Sequence, residues 1–181
     1  MDAESRIIRS GFPTLDTVLQ GIRLGDNVVW QIDNLEIYRF FARPFITQSI
    51  ADGYVCVYMR FAPHAPILDP QPGLEIIEMD PGPGFDSFSA EVHQIIEEKG
   101  RKCFYVFDNL SALVSEWATD ELLANFFQLT CPFLFELDTV AYFGLTLGKH
   151  QDSAVSRIRD TTQLLINVYS VNNERYLHPQ K

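Results

Sequence analysis

Trp30-Gln31-Ile32-Asp33-Asn34-Leu35-Glu36-Ile37-Tyr38 is the stretch that decides how this chain is read. It joins an apolar, β-rich run from Asn27 to Ile32 to a helical pattern from Leu35 to Ala51, in which Ile37, Phe40, Phe41, Phe45 and Ile50 lie near one face. A buried strand passing through a short loop into a helix is the opening half of a βαβ unit. Pro44 is expected to strain the interior of that helix, because it removes a backbone donor.

The same alternation continues outward from this junction. Tyr54 to Met59 and Leu74 to Met79 read as strands, and Pro81-Gly82-Pro83-Gly84 reads as a turn into a helix from Asp86 to Lys99, capped by Asp86 or Ser87 and ended by Gly100. Lys102 to Asp108 is the clearest buried strand. Glu116 to Leu137 reads as a helix interrupted near Cys131-Pro132, and Val140 to Leu147 as a strand finishing at Gly148-Lys149-His150. Asp152 to Asp160 follows as a short helix or turn, then Thr162 to Val171 and Glu174 to His178 as a hairpin around Asn172-Asn173. Continuous apolar strands separated by helices predict an α/β layer fold with a largely parallel sheet.

Composition excludes several functional classes. The 181 residues carry 24 acidic and 14 basic side chains, a net charge of -10, so phosphate backbones and anionic membrane surfaces repel the chain. No nucleic-acid or membrane partner is expected. Cys56, Cys103 and Cys131 sit in apolar stretches without metal-site spacing, which reads as reduced core thiols and a cytoplasmic setting. One domain over residues 1–181 accounts for the length, and the polar, strand-like end suits an N-terminal piece of a longer protein.

Several landmarks together resemble the KaiC branch of the RecA-like P-loop ATPases. Ser10-Gly11-Phe12-Pro13-Thr14-Leu15-Asp16-Thr17-Val18-Leu19-Gln20-Gly21 is similar to that family's entry motif, and Ile22-Arg23-Leu24-Gly25-Asp26 to its connector into the first core strand. Phe104-Tyr105-Val106-Phe107-Asp108-Asn109-Leu110-Ser111-Ala112-Leu113 resembles the Walker B strand, whose terminal acid approaches magnesium. Arg157-Ile158-Arg159-Asp160-Thr161 matches the closing segment more loosely. The resemblance implies a three-layer RecA-like P-loop NTPase fold around a central, mainly parallel sheet. The first third of the chain also resembles the N-terminal region of proteins that carry a phosphoenolpyruvate synthase or pyruvate phosphate dikinase type domain further on, although no motif of that catalytic domain lies here.

The departures from the family matter more for function than the matches. A Walker A loop needs glycines so that backbone N–H groups wrap the phosphates, a lysine for the β and γ oxygens, and a hydroxyl on magnesium. Gln31, Asp33, Asn34 and Glu36 occupy that position, and residues 31–38 contain no glycine, lysine, serine or threonine. Asp33 and Glu36 are expected to cap the helix N-terminus and repel phosphate. Where the family has catalytic glutamates after its second strand, this chain reads Arg60-Phe61-Ala62-Pro63-His64. Without lysine or base, Asp108 has little to organise, and phosphoryl transfer depends on positioning and electrostatics.

Other residues admit both a functional and a structural reading. Asp108 can face magnesium or cap the turn after its strand, and the second is favoured. Arg60, His64, Lys149 and His150 form a candidate anion-binding edge at the strand carboxyl ends. A Ser111, His150, Asp108 triad can be drawn, but no G-x-S-x-G elbow supports it. His93 and Glu97, with Glu91 on the same helix, have i,i+4 spacing, for which a solvated helical pair is the favoured reading over metal binding. Arg157, Arg159 and Arg175 read as surface or interface charges, and the aromatic stretch Phe126 to Phe143 as core, with a subunit or domain interface as the alternative.

The expectation is a catalytically inactive RecA/KaiC-like domain that serves as a binding, regulatory or assembly module, either self-associating or docking to a linked catalytic domain. No catalytic residue, metal or cofactor is expected; bound ATP with magnesium is the alternative. The competing function is nucleotide sensing for a phosphoenolpyruvate- or pyruvate-utilising phosphotransferase.

Overall fold

In the computed structural model, which describes residues 7–117, 119–172 and 174–181, Leu164–Val171 and Glu174–Pro179 form an antiparallel hairpin at one edge of a seven-stranded, otherwise parallel sheet. The elements in chain order are β1 (Ile7–Ile8), α1 (Pro13–Leu19), β2 (Ile22–Arg23), β3 (Asn27–Ile32), α2 (Leu35–Ala51), β4 (Val55–Arg60) and β5 (Leu74–Glu78). They continue with α3 (Phe85–Lys99), β6 (Cys103–Asn109), α4 (Ser111–Trp117), α5 (Asp120–Glu136), β7 (Val140–Thr146), α6 (Asp152–Thr161), β8 (Leu164–Val171) and β9 (Glu174–Pro179). The sheet order is β5-β4-β6-β7-β3-β8-β9, and β1 pairs with β2 as a separate two-stranded ribbon.

Helices cover both faces of the sheet, so the central strands are buried throughout and need no polar face. Val57, Met59, Tyr105, Phe107, Ala141 and Phe143 point to the side packed by α3, α4, α5 and α6. Their neighbours Cys56, Tyr58, Phe104, Val106, Val140 and Tyr142 point to the side packed by α1 and α2. The two-residue period of a strand thus divides one sheet between two cores. Cys56, Cys103 and Cys131 are free and buried within these cores.

Two local expectations are corrected. The long helical region breaks at its start rather than at Pro132: α4 ends at Trp117, and α5 begins at Asp120 and runs through Pro132 to Glu136. Thr119 drives the restart, since its hydroxyl accepts from Leu122 N–H and satisfies a free first-turn donor. Helix α3 is preceded by Gly84 with no side-chain cap, in place of Asp86 or Ser87. Asn172 of the β8–β9 turn has φ 51°, the left-handed geometry that asparagine tolerates, while Asn173 lies outside the described residues.

Pro44 lies inside a continuous α2, and the Gly11 backbone packs directly against it. The Gly11 backbone, at φ 85°, lies so close to Pro44 that an added Cβ would stand 2.5 Å from its carbonyl carbon. Only glycine fits this approach. Most of the aromatic stretch is core: Phe126, Phe127 and Phe143 are fully buried, whereas Phe135 is half exposed. Among the described residues, no helix is long and apolar enough to cross a membrane.

Candidate functional site

Gln31 is not in the loop at all. It is buried within β3, in register with Leu145 on one side and Asn167 on the other. The loop is Asp33-Asn34, and the cap of α2 comes from a neutral amide rather than from a carboxylate. Asn34 Oδ1 accepts from Ile37 N–H at 3.2 Å, and Asn34 Nδ2 donates to Asp33 Oδ1 at 3.0 Å. Asp33 therefore braces the cap without making it. Glu36 is exposed and lines an open pocket with Asn34, Ile37, Ser170 and Arg175. One first-turn donor of α2 is thus satisfied, by Asn34 rather than by Asp33 or Glu36.

Tyr38 fills the space behind that helix end. Its ring is fully buried against Gly144, where an added Cβ would meet the ring at 2.9 Å, and its hydroxyl donates to the Phe107 carbonyl at 2.8 Å. A side chain of α2 thereby crosses β7 to reach β6. Burial pushes the Tyr38 phenol well up, with the Asp108 charge adding to the effect, so the group stays a neutral donor.

Asp108, the penultimate residue of β6, has no exposed surface. Tyr58 Oη donates to its Oδ1 at 2.5 Å, while the N–H groups of Phe61 and Ala62 each donate to Oδ2 at 3.0 Å. Tyr58 Oη in turn accepts from Ile67 N–H at 3.1 Å. The carboxylate thus secures the segment after β4, not the turn after its own strand. That turn is held by Asn109, whose Oδ1 accepts from Ser111 N–H at 3.0 Å. Desolvation raises the Asp108 carboxyl, and its hydrogen bonds and nearby His64 offset this only in part.

The four residues of the predicted anion-binding edge fall into two groups. Arg60 donates to Glu78 Oε1 at 2.6 Å and to the His64 carbonyl at 3.1 Å, and His64 Nε2 lies 3.8 Å from Asp108 Oδ1. Both therefore belong to the Asp108 region. Lys149 is exposed and lines a separate open pocket of about 520 Å3 with Asp120, Glu121, Gln151, Ser153 and Arg157. His150, beside it in sequence, turns inward with its side chain only 2% exposed.

His150 uses both ring nitrogens. Nε2 lies 2.6 Å from Ser111 Oγ, and Nδ1 lies 2.7 Å from Asp120 Oδ1. Asp120 Oδ2 accepts from Gln151 N–H at 2.8 Å, and Ser111 Oγ accepts from Thr146 N–H at 2.8 Å. Desolvation pushes the Asp120 carboxyl up, but the hydrogen bonds from His150 and Gln151 and the imidazole charge together hold it below its ordinary range. A sequence-drawn triad with Asp108 is thus corrected: the acid is Asp120, and Asp108 serves another segment. The Thr119-Asp120-Glu121 helix-start signal would have exposed Asp120 as a first-turn residue.

The remaining candidates have structural partners. His93 Nε2 meets Thr130 Oγ1 at 3.2 Å, joining α3 to α5, and burial lowers its pKa. Among the described residues, no group of three or more His, Cys, Asp or Glu side chains is arranged to hold a metal ion. Arg157 donates to Asn125 and Gln128 of α5, Arg159 donates to Ser156, and the Arg175 guanidinium lies 4.8 Å over the Phe40 ring. No protein-family model and no curated protein matches the chain.

Proposed function

We propose that this chain is a RecA/KaiC-like module without ATPase chemistry, which binds a second copy of itself or a linked catalytic domain. The observation that carries the reading is the state of Asp108. The acid expected to approach magnesium is fully buried and already accepts from Tyr58, Phe61 and Ala62. A magnesium-facing carboxylate would require those three donors to be left unsatisfied, at about 1–3 kcal/mol for each buried group.

The phosphate side supports the same reading. Asn34 already occupies a first-turn donor of α2, and Tyr38 fills the space between α2 and β6. Association is supported by the open edge of the sheet. All six residues of β9 are exposed, and an edge strand presents backbone donors and acceptors to another chain.

Calorimetric titration with ATP and ADP, each with and without magnesium, combined with light scattering for mass, tests the proposal. The expected result is no heat of binding in any of the four titrations. Magnesium-dependent binding that is lost in Asp108→Ala would overturn it in favour of nucleotide sensing. A strictly monomeric mass would remove self-association and leave the linked domain as partner.

A further inference from the structure

We propose that Ser111 is an activated nucleophile, with His150 as its base and Asp120 as the acid that orients the base, able to take an acyl group from a small, uncharged activated ester. The connectivity is that of a serine–histidine–aspartate array: Oγ to Nε2 at 2.6 Å and Nδ1 to carboxylate at 2.7 Å. The three residues come from three different elements: the start of α4, the loop after β7 and the start of α5. They meet beside the carboxyl ends of β6 and β7, the edge at which α/β sheets carry their chemistry.

The hydrogen-bond partners of the relay set which atoms can exchange protons. Asp120 is held ionised and accepts at both oxygens, so the proton between it and His150 belongs to Nδ1. In the neutral imidazole that carries its proton on Nδ1, Nε2 is an acceptor for the Ser111 hydroxyl 2.6 Å away. Thr146 N–H takes one lone pair of Oγ, which leaves the second free to attack carbon. The His150 side chain is 2% exposed and that of Asp120 12%, so the relay is shielded from water, while Ser111 itself is only half-buried.

The step balances without a cofactor. Ser111 Oγ forms a bond to the acyl carbon as the carbon–oxygen bond to the leaving alkoxide or phenoxide breaks. The serine proton passes to His150 Nε2 and from there to the leaving oxygen. Water then attacks the acyl carbon, giving its proton to Nε2, and the bond to Ser111 Oγ breaks as Nε2 returns that proton to Oγ and the acid leaves. A half-buried serine limits the acyl group to a small one, and the chain's charge of -10 disfavours anionic substrates.

This inference does not rest on the nucleotide reading, because none of its three residues belongs to the Asp33-Asn34 loop or to the Asp108 cluster. The test is to treat the whole chain with a fluorophosphonate probe and with p-nitrophenyl acetate, and to locate adducts by peptide mass spectrometry. The expected result is one adduct per chain on Ser111, none on Ser111→Ala, and labelling slowed at least about 100-fold in Asp120→Asn and in His150→Ala. An array that only clamps three elements would leave Ser111 unlabelled. No adduct on the wild type, an adduct elsewhere, or an unchanged rate in folded Asp120→Asn would each overturn the proposal. The adduct position in the wild type decides even if a variant does not fold.

Discussion

Asp108 and Asp120 are two aspartates drawn into the fold for opposite electrostatic reasons. Asp108 is sealed among a phenol and two backbone N–H groups, and burial raises its carboxyl. Asp120 keeps 12% of its side chain exposed, faces an imidazole, and is held below the ordinary carboxylate range. The first has spent its acceptor capacity on holding a segment in place. The second holds a titratable group that itself touches a hydroxyl. What a buried acid can do is thus set by its donors: fixed backbone donors make it a fastener, and an imidazole makes it part of a proton path.

Removing each acid would sharpen that contrast, and the largest effect is expected at Asp108. Asp108→Ala leaves Tyr58 Oη and two backbone N–H groups without their acceptor, so it should cost about 3–5 kcal/mol in urea unfolding. A loss below about 1 kcal/mol would show that the segment after β4 is held by something else. Asp120→Ala strips His150 and Gln151 N–H of one acceptor each and should cost less, about 1–3 kcal/mol.

Gly144→Ala probes the barrier that Tyr38 makes beside the Asp108 region. The added Cβ would stand 2.9 Å from the Tyr38 ring, so the ring must move or β7 must bend, at about 1–3 kcal/mol. The same urea series measures it. The double variant Gly144→Ala, Tyr38→Phe would show whether the Phe107 hydrogen bond holds the ring in place.

Acid titration should separate the two aspartates by sign. Asp108 has a raised folded pKa, so its contribution to stability is full below the unfolded value of about 3.9 and is lost as pH rises through the folded value. Asp120 has a lowered folded pKa, so its contribution is present above about 3.9 and is lost as pH falls through the folded value. Urea midpoints measured from pH 7 downward should therefore lose the first slope in Asp108→Asn and the second in Asp120→Asn. Identical pH profiles for the two variants would break the comparison.

The smallest effects are expected at the loop before α2. Asn34→Ala removes the cap and should cost about 1 kcal/mol. Asp33→Ala, which removes only an exposed brace, should stay within about 0.5 kcal/mol by the same unfolding measurement. A larger loss for Asp33→Ala than for Asn34→Ala would return the capping role to the carboxylate.

The sequence by itself determined the order and type of the main elements, because their signals are local. Apolar runs marked β3, β4, β6 and β7, helical periodicity marked α2 and α3, and residues 31–38 lack the glycine, lysine and hydroxyl side chains of a Walker A loop. The position of the helix break was also written locally, in Thr119-Asp120-Glu121, but the proline at 132 suggested a different place. A helix interior tolerates Pro132 here because α5 is fastened on both sides by buried Phe126, Phe127, Cys131 and Leu134, an effect no local window contains. Only the tertiary structure decided which acid serves which partner. Parallel strand register sets β6 beside β7, and the start of α5 lies against the loop after β7, so that Ser111, His150 and Asp120 meet across more than thirty residues of chain while Asp108 turns to the segment after β4. Proximity of that kind comes from sheet pairing and helix packing between distant segments, and therefore has no spacing in the sequence from which it can be read.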